Sequence, residues 1–157
     1  MNENTAISAD AIDELKGRFL LFYLDDTLYG VELRLVLEII NIQHITHLPG
    51  VPDHIKGIVN LRGKIVPVIE VRRKFNMPDK DYTDKTCIIV LEIQGMQIGL
   101  IVDQVSEVVT VEPKQIASPP SMGDATNRYL SSVSEIGSRY ILNIDFDKFF
   151  QKDLEMF

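Results

Sequence analysis

Asn60 and Arg62 stand two residues apart in the stretch GIVNLRGKIVPV, residues 57–68, inside an otherwise aliphatic run. An amide and a guanidinium so placed can make charge-assisted hydrogen bonds to a carboxylate, which is the chemistry of recognition rather than of bond breaking. The same stretch holds the outline of a phosphate loop between Gly57 and Lys64. Five residues rather than four separate Gly57 from Gly63, Ile65 stands where a Ser or Thr would hold magnesium, and the segment reads as a hairpin instead of opening a helix. His44, His47 and His54 have no cysteine or second carboxylate to complete a zinc set and read as surface histidines. Asp25, Asp26, Asp79, Asp81 and Asp84 fall in turns and a linker, where solvated turn formers outweigh an acid/base pair. No Ser, His and Asp set stands out, and the single Cys87 opens the apolar run CIIVL, where it reads as packing. The residues therefore assign no catalytic group, no metal and no cofactor.

Positioning Asn60 and Arg62 requires a scaffold, and 157 residues with 45% hydrophobic content are enough for one globular domain with a real core. A net charge of -7 without any Trp argues against a nucleic-acid partner, which needs a basic face for phosphates. The first 17 residues read as an acidic tail without a signal peptide, and no run reaches the roughly 20 apolar residues of a membrane span. A cytoplasmic protein without membrane insertion is the expectation. Short apolar runs dominate: FLLFYL (19–24), LYGVEL (28–33), VLEIINI (36–42), IKGIVNL (55–61), KIVPVIEV (64–71), CIIVLEI (87–93), QIGLIV (97–102), EVVTVE (107–112) and YILNID (140–145). Turn residues at 25–27, 62–63 and 94–95 separate them, which predicts an all-β fold with tight hairpins. Short helices are expected at 71–75 and over 146–157, where Phe146, Phe149, Phe150, Leu154 and Phe157 recur near helical spacing.

Along 55–61, alternation turns Ile55, Gly57, Val59 and Leu61 inward, and Lys56, Ile58, Asn60 and then Arg62 outward. Pro67 cannot donate to a ladder, so its strand is expected at an edge or with that position unpaired. The chain also repeats itself. At an offset of 69, Gly30 falls on Gly99, Val36 on Val105, Glu38 on Glu107, Ile39 on Val108 and Ile40 on Val109. After a slip within 117–127 the offset becomes 75, and Ile58 meets Val133, Lys64 meets Arg139, Glu70 meets Asp145 and Phe75 meets Phe150. Two units of about five strands suit two small barrels, since closure removes exposed strand edges. Asn60 and Arg62 fall opposite Glu135 and Gly137, so the barrels are not interchangeable.

At IKGIVNLRGKIVPVIEVRRKF, with YGVELRLVLEII before it, the chain resembles the CheW family of bacterial chemotaxis adaptors, and the similarity runs from about Phe19 to Phe150. The resemblance implies two five-stranded SH3-like barrels with short helices. It divides the chain into a tail (1–17), a CheW-like domain (18–150, barrels about 18–78 and 85–150, with strand exchange between them left open) and a helical end (151–157). It implies a non-catalytic scaffold that couples the cytoplasmic tips of methyl-accepting chemotaxis receptors to the regulatory, CheW-like domain of the histidine kinase CheA, at the inner face of the membrane. Carried over by position, receptor contact falls to Val36, Glu38, Gly57, Asn60, Arg62 and Gly63, and kinase contact or coupling to Gly99, Val105 and Val108. Arg62 is expected beside Glu38. The chain departs from the family at Ser132 and Ser134, where glycines are usual, and at Gly137-Ser138. An adaptor of a chemosensory system with twitching or developmental output shares the motif; from another class, an SH3-like enzyme accessory domain is the alternative.

Overall fold

The structure, a computed structural model, describes residues 15–119 and 127–157. The tail before residue 15 and the centre of the loop where the repeat slips lie outside them. The elements run β1 (Arg18–Leu24), β2 (Thr27–Glu32), β3 (Val36–Asn41), β4 (Ile55–Leu61), β5 (Lys64–Glu70), a one-turn helix α1 (Val71–Lys74), β6 (Cys87–Ile93), β7 (Met96–Val102), β8 (Gln104–Thr110), β9 (Ile116–Ala117), β10 (Leu130–Ile136), β11 (Arg139–Ile144) and a one-turn helix α2 (Phe146–Phe149). The fold is all-β, built of two sheets.

The sheets do not follow the two halves of the sequence. One has the order β8-β1-β2-β11-β10-β9 and the other β3-β6-β7-β5-β4, so each hairpin β1–β2 or β6–β7 pairs with strands of the opposite repeat. The internal repeat is exact in register. Val68 faces Gly99 in one parallel pair and Asn143 faces Gly30 in the other, while Ile39 faces Ile89 as Val108 faces Leu20. Even the bulges recur, between Ile55 and Gly57 and between Leu130 and Ser132. At both parallel pairs the glycine permits the close approach: a Cβ on Gly99 would lie 2.7 Å from Ile88 and 2.8 Å from Val68, and one on Gly30 would strike the Asn143 side chain.

Three apolar clusters hold this arrangement. Val59, Leu61, Val66, Val68, Ile88, Val90 and Ile101 fill one sheet's interior, and Leu21, Leu28 and Ile141 fill the other's. Between them a larger cluster takes the opposite faces of the same strands, Leu20, Phe22 and Leu24 from β1 and Cys87, Ile89, Leu91 and Ile93 from β6. β1 and β6 are thus buried on both faces, which is why they read as continuous apolar runs. Cys87 packs in this central cluster, and burial pushes its thiol up.

Five expectations need correction. β10 was not expected, because Ser131, Ser132 and Ser134 break any apolar run there, and β8 begins at Gln104 rather than 107. The segment 146–157 is not one helix: α2 ends at Phe149, and a 3-10 turn forms only at Leu154–Met156. Phe146, Phe149 and Phe150 are buried, but Phe157 is exposed. Asp153 accounts for the break, since it is buried and bonded to His54 Nε2 at 2.7 Å and to Lys74 Nζ at 3.0 Å. His54 is therefore a packed hydrogen-bond partner of Asp153 rather than a surface histidine. Asp25 is likewise no free turn acid: with Asp103 it receives the guanidinium of Arg72, which is only 5% exposed and also donates to the Pro78 carbonyl at 3.0 Å. Pro67 sits on β5, an inner strand, in its unpaired position; its partner Ile58 turns both backbone groups to Thr46, and the ladder to β7 begins one residue later at Val68.

Candidate functional site

β4 and β5 are joined by the two-residue turn Arg62-Gly63, with φ of +51° and +85°. Positive φ at both central positions is the turn that matches the twist of paired strands, and Gly63 has open space around it. Arg62 takes a backbone conformation uncommon for its type, so its neighbours must hold it there. The Asn60 side-chain oxygen accepts from Gly63 N at 2.9 Å, bracing the tip, and Gln43 Nε2 donates to the Asn60 carbonyl at 3.2 Å.

The β4 edge is zipped to the chain of β3 and the segment after it. Thr46 and Ile58 exchange two backbone hydrogen bonds of 2.8 and 2.9 Å, Gln43 holds Asn60, and Arg62 forks onto Glu38, one arm at 3.4 Å and the other closer. Residues 46, 43 and 38 thus meet 58, 60 and 62 in antiparallel order. The hydrogen bond and the charge of Glu38 raise the already basic Arg62 guanidinium further. With its side chain 70% exposed, Arg62 remains accessible to a partner. Glu38 shares an inward-leaning row with half-buried Val36 and Ile40, while Leu37 and Ile39 on the opposite face of β3 and Ile65 on β5 are exposed.

The structure brings Glu38, Asn60, Arg62 and Gly63 together at this seam, with Val36 lower on the same strand packed against the central cluster. Gly57 and Gly99 show no surface. Gly57 has φ of +153° and lies under the Thr46 carbonyl, and Gly99 is wedged between Ile88 and Val68. Val105 is half-buried, and Val108 is 41% exposed, so it is a surface residue and not a core one. Val108→Asp is accordingly expected to fold and to melt within about 3 °C of wild type. A drop of 10 °C in a thermal scan would place Val108 among structural residues.

Sequence reasoning missed Gln43, which sits in an irregular segment with no periodicity to single it out. It also missed that the opposite sheet rebuilds the ion pair: Arg139 Nη1 reaches Glu107 at 3.2 Å, with Val108 and Tyr140 exposed nearby in sequence. Glu107 repeats Glu38, but Arg139 repeats Lys64 rather than Arg62, so alignment of Arg62 with Gly137 hid the correspondence. Among the described residues no three His, Cys, Asp or Glu side chains converge as a metal set, and no helix is long and apolar enough to cross a membrane.

Comparisons with known proteins bear on the chain as a whole. The family described as CheW-like domain matches residues 18–154. The chemotaxis protein CheW of Klebsiella aerogenes is 34% identical over 143 residues, covering 90% of this chain and 86% of that protein. That of Bacillus subtilis is 35% identical over 103 residues, 66% of each chain. The crystal structure of the scaffolding protein TtCheW from Thermoanaerobacter tengcongensis superposes with a TM-score of 0.76 at 33% identity, covering 82% of this chain and 88% of that one. With its whole double-sheet body matched, the chain belongs to the CheW-like family.

Proposed function

We propose that this chain is a non-catalytic adaptor that couples the cytoplasmic tips of transmembrane chemoreceptors to the regulatory domain of the histidine kinase CheA, at the inner face of the membrane. The observation that carries the reading is the Glu38–Arg62 seam, an accessible ion pair on a rigid barrel edge with Leu37, Ile39 and Ile65 exposed on the neighbouring strands. Apolar area supplies affinity and a desolvated Arg supplies specificity, the composition of a docking centre. The helical-hairpin receptor tip that the family resemblance implies can be held at such an edge by charge-assisted hydrogen bonds from the guanidinium. Receptor contact is assigned to Glu38, Arg62 and Gly63, and kinase contact to the surface around Val105 and Val108. Gly57 and Gly99 support these surfaces from beneath.

Bridging is the direct test. Receptor signalling-tip fragment should be captured on beads bearing the kinase regulatory domain only when this chain is added. Capture no greater than without the chain would overturn the proposal.

A further inference from the structure

The family resemblance implies receptor contact for Asn60, which shares the outward face of β4 with Arg62. Its side chain, however, turns along its own hairpin, with Oδ1 accepting from Gly63 N at 2.9 Å. Its carbonyl is held in turn by Gln43 Nε2 at 3.2 Å. Both bonds act on the four residues that set the backbone of Arg62, at φ +51°, a conformation that Arg does not favour. In the other sheet Glu135 and Gly137 replace Asn60 and Arg62, and the ion pair moves to Arg139. The turn brace and the guanidinium at the tip are lost together there, as expected if one exists to serve the other.

We infer that Asn60 and Gln43 are positioning residues: they hold the Arg62-Gly63 turn so that the guanidinium lies against Glu38 in the geometry a partner reads, and neither touches the partner. The inference rests on the docking role proposed for Arg62, and the two fail separately in the test below.

The test is a double-mutant cycle with a receptor signalling-tip fragment, combined with amide hydrogen exchange on the free protein. Asn60→Ala should weaken binding about fivefold or more in the wild-type background and less than twofold in the Arg62→Ala background. Asn60→Asp, which keeps an oxygen for Gly63 N–H, should stay within about twofold of wild type. Equal losses from Asn60→Ala in both backgrounds would make Asn60 a contact residue and overturn the inference. In the free protein, Gly63 N–H should exchange about tenfold faster in Asn60→Ala, and Gln43→Ala should shift the Arg62 side-chain Nε–H resonance. If the wild-type chain binds no fragment, the docking proposal falls, and the exchange measurement alone decides the positioning role. An unchanged Gly63 rate overturns it.

Discussion

Gly57→Ala is expected to lower stability by about 3 to 5 kcal/mol and the melting temperature by about 10 °C or more. At φ +153° the residue occupies backbone space that L side chains rarely adopt, a strain of roughly 1 to 3 kcal/mol for any other residue. The added Cβ would fall on the Thr46 carbonyl oxygen, which is backbone and cannot rotate away. That oxygen accepts Ile58 N at 2.9 Å, and Thr46 N returns a bond of 2.8 Å, so relief of the clash breaks the bridge that closes the barrel. Gly63→Ala is the control. It has open space and φ +85°, so its cost is the left-handed penalty alone, roughly 1 to 2 kcal/mol. Urea unfolding of the two variants checks the argument, and equal losses would contradict it.

Arg72→Met should cost about 3 kcal/mol at neutral pH. Arg72 Nε and Nη2 reach the Asp103 carboxylate at 2.9 and 2.6 Å, and the same guanidinium ties the β1–β2 turn through Asp25 to the linker through Pro78. Methionine fills the volume but leaves the Asp103 carboxylate with the Asp25 amide at 2.7 Å and, of its cations, Lys80 at 3.8 Å. Burial pushes the Asp103 carboxyl up, and hydrogen bonds from Arg72 and the Asp25 amide outweigh it, leaving the group below the ordinary aspartate value. A carboxyl depressed in the fold contributes stability above its unfolded value and loses it as pH falls through the depressed one. The gap between wild type and Arg72→Met should therefore be widest near neutrality and close below about pH 4. A gap that stays constant to pH 3 in paired melting curves would show that Arg72 acts by packing alone.

The particular residues show why some of this was legible in the sequence. Arg62-Gly63 and Gln94-Gly95 announced their hairpins, because each joins two apolar runs and has positive φ at both positions. The repeat was legible through Gly30 and Gly99, which the fold uses for the same close approach. Strand exchange was not, because a period of two says which residues face inward and nothing about which strand lies alongside. β10 hid behind its serines. There Asn143 Nδ2 donates to Ser132 Oγ at 3.0 Å and to Ser134 Oγ at 2.7 Å, in a buried cluster at the places held by Val68, Gly57 and Val59 in the other repeat. The departure from the family's glycines thus has a partner at Asn143, eleven residues from Ser132 and outside any motif. At the site, residue types gave Asn60 and Arg62 and the family resemblance gave Glu38, but Gln43 became visible only once β4 closed against the chain after β3.

Calorimetric titration of a receptor signalling-tip fragment into the wild-type chain and Arg62→Ala tests the central claim most directly. Saturable binding by wild type, weakened about tenfold or more in a variant with an unchanged melting curve, is the predicted result. In the same series Val108→Asp should bind the receptor fragment within about threefold of wild type. An Arg62→Ala protein that binds the fragment as tightly as wild type would contradict the account.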